Sequence, residues 1–152
     1  MDVRTLVSPI GDLPIIMIEE LGKYTIVSEW PEDGYKRQYE PSLYNLELHR
    51  MLQRNTGWNS FYLLDKKNKQ AEAEFHICLE GNQGKSPFRS PYGGIEFSDQ
   101  LSEEDLHAFG RVILEQLTEK QITIIPAPEA YDPQHFSREL YLWNSLGSQT
   151  LS

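Results

Sequence analysis

The chain has one cysteine, Cys78, so no disulfide can form within it and the core must hold by packing alone. That composition suits a reducing cytoplasm. Basic side chains are also scarce: 14 Lys and Arg stand against 23 Asp and Glu, a net charge of -9. A polyanion would meet net repulsion, so no nucleic-acid partner is expected. The only dense basic cluster, Lys66, Lys67 and Lys69 around Asn68, reads as a solvated hairpin turn. No apolar run approaches the roughly 20 residues a membrane span needs. At the N-terminus Asp2 and Arg4 precede Pro9 and Gly11, which does not read as a signal peptide. No membrane is expected. Cys and His form no ligand clusters, so no metal is expected either. Repeats, low-complexity stretches and internal boundaries are missing too, which leaves a single cytoplasmic domain over residues 1–152 as the expectation.

What is present alternates between strand and helix signals. Leu13–Ile18 and Tyr24–Trp30 are β-prone and joined by E-E-L-G-K, a loose hairpin whose first arm, with Pro14, suits a sheet edge. Pro31–Pro41 is polar and turn-rich, and reads as a loop. From Ser42 a helical pattern runs through Leu43, Leu46, Leu48, Met51 and Leu52 and ends near Asn55 and Gly57. Phe61–Leu64, the turn D-K-K-N-K and Gln70–Leu79 form an antiparallel hairpin. Its second arm alternates, with Ala71, Ala73, Phe75, Ile77 and Leu79 on one face and Glu72, Glu74, His76, Cys78 and Glu80 on the other.

After the turn G-N-Q-G-K-S-P comes the strand signal of P-Y-G-G-I-E-F, covering Tyr92–Phe97. Ser102 then stands as an N-cap before Glu103, Glu104 and Asp105, whose charges suit the positive end of a helix dipole. Leu106, Phe109, Val112, Ile113, Leu114 and Leu117 recur at helical spacing, and Ile122–Ile125 is a short strand stopped by Pro126 and Pro128. A strand, a crossover helix and a strand make two parallel neighbours. The last helix starts at Pro133, carries Phe136, Leu140, Trp143 and Leu146, and stops at Gly147. S-Q-T-L-S is too short to return to the sheet as a substantial strand. The chain is therefore expected to be the first part of a longer protein, or one whose sheet a partner completes.

This order of elements, with F-Y-L-L-D, A-E-A-E-F-H-I-C, S-P-Y-G-G-I-E-F, I-T-I-I-P-A-P-E-A-Y-D-P and L-Y-L-W-N-S-L-G, resembles the GNAT acyltransferase superfamily. The closer resemblance, over Tyr24–Gly147, is to Fem-like members that carry two GNAT-type halves in one chain, this one matching the N-terminal half. It implies an α/β fold with a mixed, mostly antiparallel sheet flanked by helices, and two parallel strands, at Gly93–Phe97 and Ile122–Ile125, that splay apart. Acyl-CoA would lie in the wedge, its pantetheine amides pairing with free strand backbone, against Phe97, Ser98, Leu101 and Ser102. The family's glycine-rich phosphate loop is replaced by S-D-Q-L-S-E-E-D, with Asp99, Glu103, Glu104 and Asp105. At about 5–6 Å and an effective dielectric of 20, each carboxylate–phosphate pair would cost on the order of 3 kcal/mol before screening.

Acyl transfer to an amine needs a base for the ammonium proton and an acid for the departing thiolate. Glu96 or Glu74 is the candidate base and Tyr131 or Tyr141 the candidate acid, with Arg89, Tyr92 and His76 beside the substrate. The residues also admit plainer readings. Glu72, Glu74 and His76 fit a satisfied polar sheet face, or, with Cys78, metal ligands; Arg89 and Glu96 fit an ion pair; both tyrosines fit packing roles. Two functions follow: acyl transfer from a CoA-type thioester to an amine, or a non-catalytic GNAT-like module supporting a second half or a homo-oligomer partner.

Overall fold

The computed structural model describes residues 4–6, 15–31, 33–52, 57–87, 91–118 and 120–147. Nine strands within them join one mixed sheet, mostly antiparallel. β1 (Arg4–Leu6) pairs with β2 (Ile15–Leu21), which turns at Gly22 and Lys23 into β3 (Tyr24–Val27). The hairpin is tight because Gly22, at φ +60°, takes the left-handed conformation such a turn requires. β1 holds the edge expected of β2, and Pro14 lies outside the described residues.

β5 (Trp58–Asp65) and β6 (Gln70–Glu80) form the expected hairpin around the lysine turn. Their register places Leu63 opposite Ala73 and Leu64 opposite Ala71, so Glu72 is an extra residue in a bulge. The simple alternation therefore fails at one point: Ala71 packs with Val27, Tyr62 and Leu64 on the face opposite Ala73, Phe75 and Ile77. The segment read as a loop contributes β4 (Lys36–Arg37), parallel to the start of β6. Beyond it, Leu43–Asn45 forms a 3-10 turn and α1 spans only Glu47–Leu52, while Asn55 lies outside the described residues.

The largest difference from expectation lies after β6. G-N-Q-G-K-S is a strand as well as a turn: β7 (Gln83–Ser86) follows a two-residue turn at Gly81 and Asn82. β8 is only Ile95–Phe97, and both β7 and β8 pair antiparallel with β6 at different heights. α2 (Glu103–Gln116) begins at its Ser102 cap and leads to β9 (Gln121–Ile124), which runs parallel to β7 rather than to β8. A single bridge, Gly93 to Pro126, follows before β8 and the chain beyond β9 part. α3 (Pro133–Ser145) is capped by Asp132, whose carboxylate accepts the His135 N–H. The S-Q-T-L-S tail lies outside the described residues.

Both long helices cover one face of the sheet. Leu106, Phe109, Val112 and Ile113 of α2 and Leu142 and Trp143 of α3 pack on Ile26, Leu63, Phe75 and Ile95. Each fully buried side chain of this kind contributes roughly 1.5–3 kcal/mol. The opposite face has a smaller apolar cluster, against which Trp30, Tyr35 and Tyr39 of the 30–42 segment pack. None of the helices among the described residues is long and apolar enough to cross a membrane.

Candidate functional site

Glu74 and Glu96 are cross-strand neighbours on β6 and β8, facing away from the helices. Glu74 is fully buried and forms an ion pair with Arg37 while accepting the Tyr39 hydroxyl at 2.8 Å. Its other oxygen faces His76 Nε2 at 2.5 Å, and His76 Nδ1 lies 2.7 Å from Ser60 Oγ. Because a carboxylate only accepts, Nε2 carries the proton and Nδ1 accepts the Ser60 hydroxyl. Burial works against the Glu74 charge, but the His76 and Arg37 contacts outweigh it and hold the carboxyl down at about 2. Burial pushes His76 below its ordinary value despite Glu74, so it is neutral. This is a closed polar network. Each oxygen of Glu74 has a partner within the protein, and the residue is fully buried.

Glu96 is placed differently. Its Oε1 accepts the Ser42 N–H at 3.0 Å and the Asn45 side chain at 2.8 Å, and the residue lines a cavity of about 310 Å³. Burial raises its pKa, with the Ser42 and Asn45 bonds working in the other direction. Tyr92, Tyr131, Asp99 and His135 line the same cavity. Glu96, Tyr92 and Tyr131 are thus brought together by the fold. Tyr141 is not: it sits 60% exposed in a separate groove between α2 and α3, its ring beside His107. Arg89 lies outside the described residues.

Gly93, Ile95, Glu96 and Phe97 line the cavity from β8 and the residues just before it. The β8 edge away from β6 is occupied at Ile95. The Ile95 N–H donates to Glu139 Oε2 at 2.9 Å, and His135 Nε2 donates to the Ile95 carbonyl at 2.9 Å. Both partners come from α3, one turn apart. Glu139 is 1% exposed and also accepts the Trp143 indole N–H at 3.0 Å. Gly94 makes room for it: a Cβ there would stand 2.4 Å from Glu139 Oε2, and its φ of +89° suits glycine. A Cβ added at Gly93 would stand 2.8 Å from Ser86 and from Pro87. The expected close approach at this glycine pair is present, and its cause is the inserted carboxylate together with the end of β7.

The residues expected to hold a cofactor face other tasks. The Phe97 ring is buried and stacks on His135 at 4.0 Å, and Leu101 is buried in the core. Ser98 Oγ accepts the Gln100 N–H, and Ser102 Oγ accepts the Asp105 N–H while donating to its carboxylate. Arg138 of α3 crosses to this loop, donating to the Leu101 carbonyl at 2.5 Å, the Asp99 carbonyl at 3.4 Å and Glu103 at 2.5 Å. The acidic start of α2 is thus met by a cation from within the chain. His135 and Glu139 went unread in the sequence as parts of a site. A charged residue at position 139, four after His135 and four before Trp143 on the inner stripe of a helix, was the available signal.

Among the described residues, no group of three or more His, Cys, Asp or Glu is arranged to hold a metal ion. Comparisons with protein-family models, with curated proteins and with solved structures each found no match.

Proposed function

We propose that this chain is a GNAT-like module that does not itself transfer acyl groups, and that supports a second, catalytic half or a partner through its sheet and helices in the cytoplasm. The observation that carries this reading is the pairing of both Ile95 backbone groups with Glu139 and His135. A pantetheine arm needs unpaired strand amides and carbonyls beside the wedge, and here α3 side chains take the place of that arm. The start of α2 supports the same reading, since three acidic residues and Arg138 occupy the place a pyrophosphate would need.

A second reading rests on the cavity. Glu96, with its raised pKa, suits a general base, and Tyr131 stands at the same cavity as a candidate acid for transfer from a CoA-type thioester to an amine. Calorimetric titration with acetyl-CoA separates the two. No saturable heat is expected for the supporting module; micromolar binding would overturn that reading in favour of transfer.

A further inference from the structure

On the face of β5 and β6 turned away from the helices, Ser60, His76 and Glu74 form one line. Ser60 and His76 are cross-strand neighbours with Ser60 Oγ 2.7 Å from His76 Nδ1, and His76 Nε2 stands 2.5 Å from Glu74 Oε2. With the Nε2 proton held by the carboxylate, the lone pair of Nδ1 faces the Ser60 hydroxyl. Burial relaxes along the line. Glu74 is 0% exposed and His76 1%, whereas Ser60 is partly open to solvent. A buried carboxylate, an imidazole oriented by it and a hydroxyl at the open end are the parts of an activated serine.

A polar network with every group satisfied would need nothing more, yet one donor on this face is left over. Trp58 Nε1, two residues before Ser60, is buried with no hydrogen-bond partner among the described residues. Native structures rarely leave such a donor unspent. Two residues after Ser60, the Tyr62 hydroxyl bonds to it, and Tyr62 is the donor because Ser60 gives its own proton to His76. Strand residues two apart share a face about 7 Å from one another, so an N–H and an O–H flank the Ser60 hydroxyl on either side. Such donors suit a developing oxyanion. We propose that Ser60 is a nucleophile that hydrolyses small carboxylic esters. Its Oγ bonds to the carbonyl carbon as its proton moves to His76 Nδ1, with Trp58 and Tyr62 beside the oxyanion. The bond to the leaving alkoxide then breaks, and that oxygen takes the proton from Nδ1. Water repeats the sequence on the acyl-Ser60 ester, releasing the carboxylic acid and restoring the Ser60 hydroxyl through Nδ1. Glu74 is a positioning residue, reaching the reaction only through His76. Uncharged acyl groups fit because the pair beside Ser60 and His76, Trp58 opposite Cys78, carries no charge. Ser60 lies on β5, across β6 from β8, and its chemistry is separate from the thioester-to-amine transfer considered at the β8 cavity.

The test exposes the full chain to a fluorophosphonate, which phosphonylates activated serines with loss of fluoride, and reads the adduct by intact mass and peptide mapping. A single adduct at Ser60 is expected in the folded protein. It is expected to vanish in concentrated guanidinium, where the unfolded chain no longer holds His76 against the hydroxyl. Ser60→Ala is expected to abolish the adduct and to lower hydrolysis of p-nitrophenyl acetate about a hundredfold. Trp58→Phe keeps a ring and removes the N–H, and is expected to lower kcat about tenfold or more with KM little changed. Should Ser60→Ala fail to fold, the comparison of folded and unfolded parent chain carries the test. No adduct, an adduct only at other residues, equal labelling of folded and unfolded chain, or hydrolysis indifferent to Ser60→Ala or Trp58→Phe would each overturn the proposal. The acetyl-CoA titration is read separately, so either reading can fail without the other.

Discussion

Glu139 Oε2 accepts the backbone N–H of Ile95 at 2.9 Å, joining a carboxylate on the last helix to the unpaired edge of a strand 44 residues earlier in the chain. The same oxygen accepts the Trp143 indole. One side chain therefore closes the β8 edge and fixes α3 against it. Removing the carboxylate leaves two buried donors without partners, each costing about 1–3 kcal/mol. Glu139→Ala is expected to lower the free energy of unfolding in urea by about 2–4 kcal/mol and to speed hydrogen exchange at the Ile95 amide. An unchanged midpoint together with unchanged exchange would sink this account of the edge.

Gly94 is the position that admits Glu139. Alanine there meets both a φ of +89° and a carboxylate oxygen 2.4 Å from its Cβ. Gly94→Ala is expected to cost about 1–3 kcal/mol. The double variant Gly94→Ala, Glu139→Ala is expected to cost less than the sum of the singles, because the clash disappears with the side chain. Strict additivity in a double-mutant cycle would count against the contact.

Arg138 joins α3 to the start of α2. Its guanidinium donates to two loop carbonyls and to Glu103. Charge-assisted bonds to backbone survive salt better than an exposed ion pair, which is screened over about 10 Å at 0.1 M. Arg138→Ala is accordingly expected to lower stability by about 1–3 kcal/mol even in high salt. Glu103→Gln, which touches only the exposed part, is expected to cost under about 1 kcal/mol. Thermal melts at low and high salt check both.

The sheet face away from the helices sets the pH dependence. Glu74 is held at about 2 against an ordinary value of 4.5, so it stabilises the fold above pH 4.5 and that contribution is lost as pH falls toward 2. His76, pushed below 6.5 by burial, acts in the same sense: its neutral form suits the fold, and stability drains as pH falls below 6.5. Glu96 runs oppositely. Its raised value means that its contribution is full below 4.5 and is lost as pH rises through the folded value. Glu96→Gln is therefore expected to gain stability relative to the parent between pH 4 and pH 7, with the difference vanishing in acid. Urea midpoints across that range decide it, and a relative loss on raising the pH would contradict the burial argument.

The parts of this fold that were legible in the sequence are those whose side chains state their period. The spacing of Leu106, Phe109, Val112 and Ile113 placed α2, Ser102 placed its cap, and alternation from Ala73 to Ile77 placed β6. β7 was hidden because Gln83, Gly84, Lys85 and Ser86 carry no strand propensity and are strand only through pairing with β6 and β9. The bulge at Glu72 was invisible for a related reason, since it exists only in the register between two strands. At the candidate site, Glu96, Tyr92 and Tyr131 were legible as polar residues flanking a strand end. Their neighbour across the cavity, His135, belongs to a helix whose docking depends on tertiary packing, so its arrival beside Ile95 could not be derived from spacing.

The central claim is that α3 fills the place along β8 that an acyl-CoA arm would need. It is tested most directly by following the Ile95 backbone amide by NMR while acetyl-CoA is added. The account expects a slowly exchanging amide whose shift stays still throughout the titration. A saturable shift at Ile95 with micromolar affinity would contradict it.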